Sequence, residues 1–481
     1  MEKRTRTGPE TLSLRGIPPE NAINRRGFLT AGSSFVLSAC SLGPEIVSPT
    51  KDLPGQFSPS AGEIPKARSN ETWWRAFGDQ SLNDVVEAGL AQNLEIRKAV
   101  ARIRQAEGLA ATVGYPYSGT VRISEGKISD DTSSGSAFAS GFVRAEASWR
   151  LDLFRELEKE RLAGQSNLHA AYEDANVSRL TLISEVITAY IDLRYAQELM
   201  RVTKRINETR RVTLHETRKL VADGKAPEIA EAQAQALLAS SRSTMPELRV
   251  QFATSLHRIM ALLGVTELPK RSDFDTRAPQ PLPRSTVVRA GVPADLIRNR
   301  PDIRRAEQRL LSALATVGAS EAEMYPAVVL TGNIATNLSS TGPEVNAGFL
   351  RVGFDLPIFD RPVRKGRLEA AWGVAEERRA DWEQEVIFAV EEVRNALFAM
   401  EQRQNAIRQA TISVEASERV LNIARREFAN GTMDFLQVQD AERTFLAAEN
   451  ALALDRRNLA VDFVRLHVAL GGSYGPVVRP A

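Results

Sequence analysis

The feature that most constrains this chain is that it says the same thing twice, at an offset of 207 positions. Glu95, Ile96, Arg97, Ala99, Arg102 and Ala106 return as Asp302, Ile303, Arg304, Ala306, Arg309 and Ala313, and Leu263-Gly264 returns as Leu470-Gly471. Asp223-Gly224 returns in the same register as Asn430-Gly431. Elsewhere the spacing drifts: Tyr115-Pro116 meets Tyr325-Pro326 at 210, and Leu153-Phe154 meets Ile358-Phe359 at 205. Loops have changed length around a framework that kept its register. Two long copies are too few for a solenoid of short stacked units, so the chain must build a pseudo-symmetric object with an internal twofold repeat.

Each copy contains a stretch that can only be a very long helix. From Arg161 to Ala222 there is no proline, and from Val363 to Ala429 there is again none. At 1.5 Å per residue, about 60 residues make a rod of roughly 90 Å. Ile183, Val186, Tyr190 and Leu193 in the first rod, and Val390, Val393, Leu397 and Met400 in the second, recur at steps of three and four. Such steps lay one apolar stripe against neighbouring helices and leave the other faces charged. Gly224 and Gly431 are placed to end the rods, because glycine takes the left-handed conformation that closes many helices. A second helix then runs back, with Asp434 as its expected N-cap and Pro227 in the equivalent place. The units are therefore helical hairpins with tips at Asp223, Gly224, Asn430 and Gly431. Pro246 should kink or break the first returning helix.

Strands precede the rods. In Phe142–Asp152, Val143, Ala145, Ala147, Trp149 and Leu151 alternate with polar residues, and Leu350, Val352, Phe354 and Leu356 do the same in Phe349–Leu356. Period-two alternation gives a sheet with one apolar and one polar face. Shorter partners are expected around Thr120–Glu125 and Ala327–Asn333, with loops at Asp130–Ser140 and Asn337–Asn346, which makes four strands per chain. No stretch of 18 consecutive apolar residues exists outside the N-terminal region, so a membrane could be crossed only by strands. Lipid cannot satisfy an open sheet edge, and single-chain barrels need about eight strands or more. Four strands per chain would thus require several copies; a soluble sandwich edge is the other reading of the same pattern.

The N-terminal region reads as an export signal. Arg25-Arg26 precede a short apolar run, Phe28 to Ala39, that ends in Leu37-Ser38-Ala39-Cys40. This resembles a bacterial lipobox, in which the chain is cut before the cysteine and Cys40 then carries lipid; Ser41 resembles outer-membrane sorting. The alternative is a chance cysteine after an apolar run. Arg25-Arg26-Gly27-Phe28-Leu29 also fits a twin-arginine motif, which leaves the export route open.

Charge and site chemistry exclude several classes. The 62 basic and 60 acidic side chains nearly cancel, and no dense basic block exists, so nucleic acid is not an expected partner. His169, His215, His257 and His467 are scattered along presumed helices as surface or packing residues. There is no HExxH and no phosphate-binding glycine loop, and Cys40 is the sole cysteine. No metal site, no cofactor beyond a covalent lipid and no enzyme activity are expected.

Four segments carry a family resemblance. They are Trp73-Trp74 with Phe77-Gly78-Asp79; the run from Gly291 through Val292, Pro293 and Ala294 to Asp302; the run from Gly431 to Arg443; and Ala469-Leu470-Gly471-Gly472. In this order and spacing the chain resembles the TolC-like outer-membrane efflux proteins, in particular the lipoprotein channel subunits that serve resistance-nodulation-division (RND) pumps. The resemblance implies a mixed, mainly α fold in which long periplasmic hairpins form an α-barrel. It implies that four β-strands per chain contribute to a 12-stranded outer-membrane β-barrel in a homotrimer. The expected segments are a signal peptide at 1–39, a lipidated tail at 40–69, repeats at 70–265 and 291–472 joined by an equatorial linker at 266–290, and a C-terminal tail at 473–481.

The implied function is an exit duct in the outer membrane, lipid-anchored and extending into the periplasm, that passively conducts small molecules delivered by a periplasmic adaptor and an inner-membrane RND pump. The family's periplasmic gate maps to Leu436, Gln437, Asp440 and Arg443. Three copies of Asp440 would form a carboxylate ring and three of Leu436 an apolar pinch; Gln437 stands where some relatives carry a second aspartate, which implies a weaker electrostatic constriction. A solvated Asp440–Arg443 pair is the alternative reading of those two residues. The tips would meet the adaptor. A duct for type I protein secretion and a lipid-anchored coiled-coil scaffold are the competing functions.

Overall fold

The structure is a computed structural model that describes residues 72–129, 137–267, 278–284, 300–339 and 345–472, with Pro49 and Phe274; the side chains of 126–129, 137–140, 337–339 and 345 are not included. Cys40 and the signal segment, most of the 266–290 linker, Gly291–Asn299 and the 473–481 tail lie outside the described residues.

A 3-10 helix, Trp73–Phe77, leads into α1 (Gln80–Gln92) and α2 (Leu94–Ala110), followed by β1 (Tyr117–Ser129), β2 (Ala137–Leu151), α3 (Glu156–Ala222) and α4 (Glu228–Leu263). The second half runs α5 (Pro301–Ala322), β3 (Ala327–Ser339), β4 (Val345–Asp355), α6 (Arg361–Ala429) and α7 (Phe435–Ala469). α2, β1, β2, α3 and α4 thus correspond one to one with α5, β3, β4, α6 and α7. The rods are longer than expected, 67 residues in α3 and 69 in α6, or roughly 100 Å each.

The strands also overrun the expected bounds, so that β2, β3 and β4 extend into what the Ser/Gly-rich composition marks as loop. Backbone pairing between Ser129 and Ala137 carries the hairpin outward, and a ladder can continue through polar residues when both faces need not be dry.

α3 and α6 run the full length, and shorter helices flank them in two tiers: α2 and α5 toward the sheet, α4 and α7 toward the tips. The tiers meet at two equivalent joints. The Asn93 side chain accepts from the Glu95 and Ile96 amides, capping α2, and its Nδ2 donates to the Leu262 carbonyl at the end of α4, at 2.7 Å. In the second repeat Arg300, 207 positions on, precedes α5, and its Nη1 donates to the Ala469 carbonyl at the end of α7, at 2.8 Å. Leu262 and Ala469 are themselves 207 apart. An amide and a guanidinium fasten the same joint. Gly264 and Gly471 lie beside them with φ of 71° and 67°.

A large apolar core sits around these joints, with Ile183, Val186, Tyr190 and Leu193 of α3 and Val393 and Met400 of α6 among its fully or nearly fully buried members. Trp73 and Trp74 are buried here. Asp79 caps α1 through Oδ1 and accepts from the Tyr190 hydroxyl through Oδ2, at 2.7 Å, and Tyr190 in turn accepts from the buried Arg194. This is what the Phe77-Gly78-Asp79 segment does.

Pro246 does not break its helix. α4 runs through it without interruption. Pro246 is on an exposed face, where the carbonyl it leaves free can meet water, and the hydroxyls of Ser243 and Thr244 donate to the Ser240 and Ser241 carbonyls of the preceding turn.

Candidate functional site

The four strands form one antiparallel sheet in the order β1-β2-β3-β4, and its register gathers most of the large apolar side chains on one face. Tyr117, Trp149, Leu330 and Val352 lie abreast. The same face carries Val121, Ile123, Ala145, Ile334, Leu350 and Phe354, and Val121, Ile123, Ile334 and Leu350 are each at least 70% exposed. Glu125, near the turn end, is the one charged side chain described on this face. From Leu151 back to Val143 these positions span roughly 26 Å of strand, or about 20 Å along the axis of a tilted barrel, most of the ~25 Å apolar band that such barrels present to lipid.

At the helical end the band is bordered by aromatics. Tyr117 stacks on Trp149 with ring centroids 6.1 Å apart, and Phe154 on Tyr325 at 4.9 Å. Amphipathic rings of this kind favour the headgroup level. Among the described residues, the outer edges of β1 and β4 have no strand partner.

The tips lie at the other end. Gly224 and Gly431 adopt φ of 71° and 76°, and each turn closes in the same way: the Lys225 amide donates to the Leu220 carbonyl, and Thr432 to Glu427. Both are Schellman closures, which pair the orphan carbonyls of the last helical turn. Asp223, Gly224, Asn430 and Gly431 are exposed. Asp434 occupies the N-cap position of α7, yet its side chain makes no capping bond; the position was legible and the bond was not.

Beyond the turn, α7 has two faces. Phe435, Val438, Ala441 and Phe445 are buried with Ile206, Leu238, Leu421 and Phe428 in a second core that joins the two hairpins. Leu436, Gln437, Asp440 and Arg443 stand together on the opposite, exposed face. With Ser417, Val420, Ala441 and Thr444, the first three line a cleft of about 310 Å³. Asp440 accepts from Arg443 Nη2 at 2.6 Å, both side chains being largely exposed. Within one chain, then, the acidic group is already paired with a cation, worth a few tenths of a kcal/mol at such exposure.

The chain matches the outer membrane efflux protein family over residues 85–265 and 292–472. The chain belongs to the outer membrane efflux protein family. It is 31% identical over 448 residues to nodulation protein T of Rhizobium leguminosarum bv. viciae, covering 92% of each chain. It is 26% identical to the cation efflux system protein CusC of Escherichia coli K12, covering 91% of this chain and 97% of that one. Among solved structures, the outer-membrane channel OprN superposes with a TM-score of 0.82 at 29% identity, over 90% of this chain and all of that one. The fold is that of the TolC-like channels, mainly helical with a small antiparallel sheet and an internal repeat. The protein is an outer-membrane efflux channel.

One feature of this efflux protein escaped the sequence reading. Glu442 is 1% exposed and takes two arginines from different helices: Arg210 Nε of α3 and Arg425 Nη2 of α6, each at 3.2 Å. Arg210 also donates to the Leu237 carbonyl of α4. One carboxylate thus ties all four helices behind the exposed face. The signal was present: Phe435, Val438, Glu442 and Phe445 follow the 3-4-3 spacing of a buried stripe. Further up α7, Glu449 accepts from Arg201 and Arg205, and Asp192 of α3 accepts from Arg457.

The histidines are packing or surface residues here. His467 stacks on Trp73 with centroids 4.8 Å apart, and burial depresses its pKa to about 4, so that it is neutral; His169, His215 and His257 are exposed. Among the described residues no cluster of histidine, cysteine and carboxylates could hold a metal ion.

Proposed function

We propose that three copies of this chain close into the exit duct of a tripartite efflux system, their twelve strands forming one barrel in the outer membrane and their hairpins one tunnel into the periplasm. The observation that carries this reading is the sheet: its apolar face is continuous across four strands, and its two edges are unpaired among the described residues. A face of that kind belongs in lipid, and lipid does not admit open edges. Pairing β4 of one copy with β1 of the next removes both at once.

In this reading Cys40 carries lipid that anchors the chain, and the tips at Asp223, Gly224, Asn430 and Gly431 meet a periplasmic adaptor that links the duct to an inner-membrane RND pump. Leu436, Gln437, Asp440 and Arg443 form the gate. They share the one exposed face of α7 near the tip, so threefold symmetry would gather them around an axis. The opposite face is held by Glu442. A coiled-coil scaffold would have no use for the sheet.

Single-channel conductance of the purified protein in a planar bilayer tests the duct and its gate together. We expect small wild-type conductance that rises severalfold when Leu436→Ala and Asp440→Ala are combined. Unchanged conductance in that variant would remove the gate and leave the duct; silence from both proteins, with folding verified, would remove the duct.

A further inference from the structure

The sheet's polar face carries an ion balance that the gate does not explain. Three levels of side chains can be read across it from the register. Ser118, Ser148, Thr331 and Arg351 form one; Thr120, Glu146, Asn333 and Phe349 the next; Arg122, Arg144, Ala335 and Ala347 the third. Farther toward the helices lie Arg150 and Asp355, but each is spoken for, Arg150 by Glu156 and Asp355 by Arg364. Among the described residues, neither Arg122, Arg144 nor Arg351 meets a carboxylate in an ion pair, and Glu146 is the single acidic side chain beside them. The face is therefore cationic where it is not neutralised.

Arg122 and Arg144 are directly opposite each other on paired strands. Like charges in that relation destabilise a sheet. The other two positions at their level are Ala335 and Ala347, which leave the space in front of the guanidinium groups open. Both arginines are exposed. The Arg144 guanidinium lies 5.6 Å from the centroid of Phe142, and that of Arg351 5.1 Å from the centroid of Phe349, contacts that hold a cation along a wall without discharging it.

In a closed barrel this face is the lumen, because charged groups at lipid-facing positions are strongly disfavoured near the bilayer midplane. With strands ~4.8 Å apart and tilted by ~40°, twelve of them close at a backbone radius of about 12 Å. Every point of the lumen at the Arg122–Arg144 level then lies within roughly one Debye length, about 10 Å at 0.1 M salt, of a guanidinium. Rings of arginine or lysine are how pores favour anions.

We propose that Arg122 and Arg144, backed by Arg351, form a cationic collar in the barrel lumen that selects for anionic solutes, so that the exported molecules are small compounds bearing carboxylate, sulfate or phosphate groups. The proposal rests on the trimeric duct described above. It assigns the barrel a filter of its own, separate from the gate and of opposite sign to the Asp440 carboxylates.

The test is the reversal potential of the full-length protein in a planar bilayer under a potassium chloride gradient, in a Leu436→Ala, Asp440→Ala, Arg443→Ala background so that the tip contributes no charge of its own. We expect this background to prefer chloride. Adding Arg122→Ser and Arg144→Ser should lower the chloride-to-potassium permeability ratio several-fold, Arg122→Lys with Arg144→Lys should restore it, and Glu146→Gln should raise it. A ratio unmoved by the serine pair would overturn the collar while the duct stands. A ratio that the lysine pair fails to restore would overturn it too, because charge would not be its cause. Absence of any conductance in the background would overturn the duct, and the collar with it.

Discussion

Asn93 and Arg300 show how much a repeat can preserve while its residues change. Both stand just before the first turn of their helix, and both reach a carbonyl at the end of another, Leu262 in one case and Ala469 in the other. The offset of 207 is plain in the sequence, but no pairwise similarity of amide and guanidinium would mark these two as equivalents, and a backbone carbonyl leaves no trace in sequence at all. Asn93→Ala removes both the cap and the reach to Leu262; we expect a loss of about 1 kcal/mol from the cap and a comparable further loss from stranding the buried carbonyl. Arg300→Ala should cost more, because Asp302 and Glu392 also lose their cation. Thermal unfolding of the two variants in detergent measures the difference, and equal losses would contradict the order.

At the scale of elements, what was legible followed from periodicity and what was not depended on partners. Two proline-free rods, their glycine ends and the alternating strands could all be read, since each is a local pattern. The path of α4 through Pro246 could not, because it turns on which face meets water. Nor could the role of Glu442, whose meaning comes from Arg425 across the hairpin turn and from Arg210, 232 residues away in the chain. Breaking a buried pair costs about 3–5 kcal/mol because the surviving charge is left without compensation. We therefore expect Glu442→Leu to loosen the tips by an amount of that order, seen as faster amide hydrogen exchange at Thr432–Phe435 and beside Leu237. The amides at the Asn93 and Arg300 joints should keep their protection. Exchange unchanged at both tips would mean that the apolar packing of Phe428, Phe435 and Phe445 suffices without the carboxylate.

For the whole molecule, the decisive property is that the sheet's two faces cannot be exchanged. Ile334 and Thr331 are three residues apart on β3 and face opposite ways. Ile334→Arg sets a charge against lipid at a cost of about 2–4 kcal/mol, whereas Thr331→Arg adds one to an aqueous lumen that already holds several. We expect the first to reduce, and the second to spare, the yield of heat-modifiable, detergent-resistant trimer recovered from outer membranes; equal yields would argue that the apolar face is not the one in lipid. The proposed gate on α7 rests on family resemblance, since an exposed patch of leucine, glutamine, aspartate and arginine has no meaning in a single chain until symmetry gives it one.

The unpaired edges of β1 and β4 carry one more consequence. A seam made of main-chain hydrogen bonds reads length and direction but is nearly blind to side chains, so a strand from a related protein would fit it almost as well. In the proposed trimer, kinship among several such ducts would have to be checked elsewhere, and the faces of α3 and α6, at 67 and 69 residues the longest elements among the described residues, are where such a check has room. Specificity of assembly would then belong to the helices and closure of the barrel to the strands.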